Sequence, residues 1–94
     1  MARLTRPRED GAGYRVDDAQ ITHDAGGYSG EAIERLARFE NAQADLLAHQ
    51  ETITLEMDRL RAEGKEKSVR FRELLGQKMI NNTLIALLER YDLR

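Results

Sequence analysis

The side chains able to do chemistry are few and scattered. His23 and His49 lie 26 positions apart and the chain has no cysteine. Disulfides and thiolate metal sites are therefore excluded, and a metal would need carboxylates gathered by the fold. Ser29 and Ser68 stand at no nucleophile–base spacing from either histidine. The 17 acidic residues are spread along charge-rich stretches, where carboxylates are ordinarily just solvated. No phosphate-cradling lysine loop and no dinucleotide glycine pattern is present. Gly26-Gly27-Tyr28-Ser29-Gly30 precedes a helix start. Anions bind at such places, yet glycine before a capped helix is equally an ordinary turn. The expectation is a non-enzymatic protein with no cofactor and no metal.

One basic cluster stands out: Lys65, Lys67, Arg70, Arg72 and Lys78. Such residues could contact nucleic-acid phosphates or an acidic partner. On a helix, however, Arg70 and Arg72 point some 160° apart at about 100° per residue, and Phe71 between them reads as core. Nucleic-acid binding through residues 65–78 is therefore the alternative rather than the main expectation.

The elements that would position these groups are dominated by one stretch. Gly30 to Glu63 runs 34 residues with no internal Gly or Pro, and Phe39, Leu46, Ile53 and Leu60 recur every seven residues within it. That repeat predicts a helix lying against another helix. Leu36, Ala42, His49 and Met57 flank the repeat, and Ile33, Ala37, Ala44 and Leu47 form a second stripe. We read Leu36, Phe39, Leu46, His49, Ile53, Met57 and Leu60 as a self-association seam, with His49 at its edge. Glu56 lies on the same side, where it could pair with a cation from the basic C-terminal part.

Ser29 is the expected N-cap, and Gly64 is a good C′ residue for ending the helix. Lys65, Glu66 and Lys67 then make a turn and Ser68 can cap a second helix. Ser68-Val-Arg-Phe-Arg also alternates like a strand. Further on the apolar phase shifts. Phe71, Leu74, Leu75 and Met79 form one stripe; Ile80, Leu84, Leu87, Leu88 and Tyr91 form another, turned by more than a right angle. Asn81-Asn82-Thr83 falls at the shift and could cap a new helix. The expectation is a kinked or split C-terminal helix, about 68–80 and 83–92. Residues 1–29 carry four of the seven glycines and the only proline, and read as an irregular arm, either flexible or docked on a neighbour.

Ninety-four residues allow one small domain with a thin core. The formal net charge is −2, but it is graded. Residues 31–63 carry 4 basic and 8 acidic groups, and residues 64–94 carry 7 and 4, so the two segments could face each other in a hairpin. The opening Met1-Ala-Arg-Leu-Thr-Arg has no apolar run, so no signal peptide is expected. No stretch is apolar enough for a transmembrane helix.

Arg3-Leu4-Thr5-Arg6, Asp10-Gly11, Tyr14 and then Glu31-Ala-Ile-Glu-Arg-Leu-Ala-Arg-Phe-Glu40 resemble small phage and prophage accessory proteins of Gram-positive, Clostridia-like gut bacteria. These begin with a similar Arg-Leu-Thr stretch and an Asn/Asp-Gly-x-x-Tyr, followed by an Ala-Ile-x-x-Leu-Ala helix start. The segment from Glu63 to Leu74, and Tyr91-Asp-Leu, is similar to the tails of other such proteins. Many members carry cysteines between the two N-terminal pieces; this chain has none, so no metal role carries over. The resemblance implies a phage-encoded protein of the bacterial cytoplasm and no particular activity.

The sequence thus predicts an all-α fold. An irregular arm (1–29) precedes an antiparallel helical hairpin (30–94) that assembles into an oligomeric bundle, because one seam cannot hide 21 large apolar residues between Ile33 and Leu93. The expected partners are the chain itself and a bacterial protein, for example a defence component that the chain blocks. A structural part of the virion is a further alternative.

Overall fold

The computed structural model describes residues 2–94. In order, they form strands β1 (Thr5–Pro7) and β2 (Tyr14–Val16), a single 3-10 turn (Asp18–Gln20), strands β3 (Thr22–Asp24) and β4 (Gly27–Ser29), and helices α1 (Glu31–Ala62) and α2 (Val69–Arg90). The chain divides into two units, one ending at Asn41 and the other covering Ala42–Arg94; α1 supplies residues to both.

The N-terminal unit corrects the expectation of an irregular arm. It contains two small antiparallel hairpins. In the first, Thr5 pairs with Val16 and Pro7 with Tyr14, and the intervening loop is closed by Arg8 N–H donating to the Gly13 carbonyl at 2.9 Å. In the second, Thr22 pairs with Ser29 and Asp24 with Gly27. Its two-residue tip, Ala25-Gly26, is braced by Gly26 N–H donating to Asp24 Oδ1 at 2.8 Å. The His23 and Tyr28 rings meet across this hairpin at 4.4 Å between centroids. Gly30, not Ser29, stands just before α1, its carbonyl accepting the first helical hydrogen bond from Glu34 N–H at 2.9 Å. It has φ of +116°, and a Cβ there would lie 2.6 Å from the Gln20 carbonyl oxygen. Only glycine allows the chain to pass so close to the 3-10 turn on its way into the helix.

The second unit holds the packed pair of helices that the sequence predicts, beginning at Ala42 rather than at residue 30. α1 ends as its composition requires: Gly64 at φ +71° lets Lys65 N–H reach the Leu60 carbonyl and Gly64 N–H the Arg61 carbonyl, at 2.8 and 3.0 Å. These bonds satisfy carbonyls that a helix end leaves free. Ser68 Oγ then accepts from Phe71 N–H at 3.1 Å and caps α2. Residues 69–72 are helix, not strand.

α2 is one continuous helix of 22 residues and is not split. Asn81, Asn82 and Thr83 sit inside it. Thr83 Oγ donates back to the Met79 carbonyl at 3.2 Å, and Asn81 turns inward. Inward-facing residues of α2 are Phe71, Leu74, Lys78, Asn81, Ile85 and Leu88, a strict 3-4 spacing. The phase shift in the apolar residues therefore marks two faces of one helix. The covered face passes through polar positions, and the second apolar stripe stays outside.

The core is a cluster of Ile53, Met57 and Leu60 from α1 with Phe71 and Leu74 from α2, all at the turn end of the hairpin. Ile85 is buried farther along.

Candidate interaction surfaces

The seven seam residues do not share one environment. Ile53, Met57 and Leu60 are 2%, 1% and 5% exposed, covered by Phe71 and Leu74 of the same chain. They are occupied within the hairpin and are not free for a second copy, which corrects their assignment to self-association. Leu46 is half-buried. Leu36 and Phe39, which belong to the N-terminal unit, remain 53% and 40% exposed.

His49 is exposed at the hairpin edge, with Nδ1 accepting from Asn81 Nδ2 at 3.3 Å. Asn81 is only 2% exposed and its Oδ1 accepts from Gln77 Nε2 at 3.0 Å. Alongside, Gln50 Nε2 donates to Asn82 Oδ1 at 2.6 Å and to the Lys78 carbonyl at 3.3 Å, while Gln50 Oε1 is buried without a partner. This polar layer between the helices was missed in the apolar pattern. The strict 3-4 spacing, once Lys78 and Asn81 are admitted to it, is the signal that carried it.

The basic residues do not converge on one free face. Arg70 donates from Nε and Nη2 to Glu56 Oε1 and Oε2 at 3.0 and 3.1 Å, and its Nη1 lies 3.7 Å from Glu73. The Arg70 hydrogen bond is the main influence holding the Glu56 carboxyl below its ordinary range, and Glu56 in turn raises Arg70. Lys65 pairs with Glu63 at 3.3 Å and lowers that carboxyl, with Arg59 assisting. Lys67 and Arg72 are exposed, and Lys78 is half-buried at the seam. The cross-helix pairing of Glu56 with Arg70 is the contact that the acidic-then-basic charge gradient suggests.

Two apolar surfaces remain uncovered. The first belongs to the N-terminal unit, where no described residue is fully buried. Leu4, Val16, Ile21, Ile33, Leu36 and Phe39 line an open groove of about 520 Å³. Two-stranded hairpins of this size are marginal without a face to pack on. The second is the outer face of α2, where Ile80, Leu84, Leu87 and Tyr91 are 56%, 45%, 46% and 67% exposed. Among the described residues, no three His, Asp or Glu side chains gather as metal ligands, and no helix is long and apolar enough to cross a membrane. No protein-family model, no curated protein and no solved structure matches the chain.

Proposed function

We propose that this chain is a non-enzymatic interaction protein that self-associates through helical surface left uncovered by its own hairpin. One observation carries the reading: among the described residues, thirteen large apolar side chains are at least 40% exposed, against six that are buried. A small monomer rarely tolerates a periodic apolar stripe on its outer face, and a stripe spaced along one helix is the surface that helices use to pack on helices. The likeness of residues 3–14 and 31–40 to phage accessory proteins supports the same class of role, in which the assembled protein engages a protein of the bacterial host. Light scattering coupled to size exclusion tests the first step. A mass above the 10.8 kDa of one chain, rising with concentration, is expected; a monomer throughout the micromolar-to-millimolar range overturns the reading.

A further inference from the structure

We infer that the occupant of the outer α2 face is the same face of a second copy, packed antiparallel across a two-fold axis beside Asn82. The inference rests on the self-association reading and specifies its surface and geometry. Ile80, Leu84, Leu87 and Tyr91 follow one another at intervals of 4, 3 and 4 residues. Extended back through Gln77 and Glu73, the stripe runs at intervals of 4, 3, 4, 3 and 4, symmetric about the level of Asn82, so against its own reversed copy Ile80 meets Leu84, Leu87 meets Gln77 and Tyr91 meets Glu73. At about 100° per residue the stripe lies well away from the face that Phe71, Leu74, Asn81 and Ile85 turn toward α1. A second molecule can therefore reach it without opening the hairpin.

Charge selects the direction. Glu73 stands on the same stripe, one helical repeat before Ile80, and Arg90 stands at its flank. Glu73 has only a loose 3.7 Å contact with Arg70, and no salt bridge involves Arg90 among the described residues. In a parallel pair, Glu73 would face Glu73 and Arg90 would face Arg90. In the antiparallel pair, Ile80 of each copy lies level with Leu84 of the other. Arg90 then comes within one residue's rise, about 1.5 Å along the axis, of the level of Glu73 of the second copy. Opposite charges meet twice by symmetry, which favours this direction over the parallel one. The same register sets the exposed Tyr91 level with Glu73 of the second copy.

Charge exchange in the full chain tests this arrangement. Glu73→Arg and Arg90→Glu, each alone, are expected to raise the dimer dissociation constant about tenfold in sedimentation equilibrium, since each replaces two attractions by two repulsions. The two together in one chain are expected to return it to within about threefold of the original. Leu84→Glu should abolish the dimer while leaving the far-ultraviolet circular dichroism unchanged, because Leu84 is outside the core. A dimer that ignores all four variants overturns the α2 interface but leaves self-association standing. A dimer broken by Leu84→Glu but not restored by the double exchange overturns the antiparallel direction. A wild-type chain that is monomeric at every concentration overturns both.

Discussion

Arg70 grips Glu56 with two hydrogen bonds of 3.0 and 3.1 Å, joining the first turn of α2 to the last third of α1. It is the one bidentate ion pair between the two helices. The pair sits beside the apolar cluster at the turn end of the hairpin, so its loss acts where the helices meet.

The pH dependence of this pair has a definite sign. The Glu56 carboxyl is held below its ordinary value in the folded chain, chiefly by the Arg70 hydrogen bond. A depressed folded value means that the pair stabilises fully above the ordinary carboxylate range, about pH 4–5, and that this contribution is lost as the pH falls through the folded value. Glu56→Gln is therefore expected to unfold at lower urea than wild type at neutral pH, with the difference closing in acid. A difference that is constant with pH would place the effect in packing instead.

Ile53 and Leu55 are close in sequence and opposite in setting, at 2% and 70% exposed. Ile53→Ala should cost about 2–5 kcal/mol, a large share of the total stability of a chain this small. Leu55→Ala should change stability by less than about 0.5 kcal/mol. Thermal melts of the two variants give the comparison.

Asn81→Leu is expected to stabilise the hairpin by about 1 kcal/mol, because the partners it releases, His49 and Gln77, are exposed and can turn to water. The cost falls on uniqueness. With an apolar residue there, α2 can slide against α1 with less penalty, as happens when a polar position is removed from a helical seam. Urea midpoints report the first effect and doubled backbone resonances the second.

Gly30→Ala should loosen the N-terminal unit by about 1–3 kcal/mol, since the positive φ and the 2.6 Å approach to the Gln20 oxygen both exclude a Cβ. Amide exchange over residues 22–30 is expected to accelerate while that of the α1–α2 hairpin is unchanged. Equal acceleration in both would mean that the two units fold together.

The parts of the fold governed by local chemistry were legible in the sequence. A long run without Gly or Pro gives α1, Gly64 ends it, and Ser68 caps α2, each for a reason contained within a few residues. The split in α2 was misjudged because Asn81, Asn82 and Thr83 are cap residues by type; here Asn81 bonds Gln77 and His49, and Thr83 bonds the Met79 carbonyl, so their polar groups are satisfied inside a helix. The hairpins of residues 5–29 were missed because three-residue strands offer too few positions for alternation, and all but Val16 and Gly27 among their residues are exposed. The covered and uncovered parts of the seam could not be separated without knowing how far α2 reaches along α1.

The hairpin is greasy at its closed end and wet farther out. Ile53, Met57, Leu60, Phe71 and Leu74 cluster next to the turn, and beyond them come Gln50, Asn81 and Asn82, with Ile85 as the last buried anchor. Such a molecule zips from its turn and frays from its tips, like tweezers with a stiff hinge. Protein made on the ribosome would not commit this pair of helices until Phe71 and Leu74 had emerged, and everything downstream of Asn81 would be laid down as the least tenacious part of the helix.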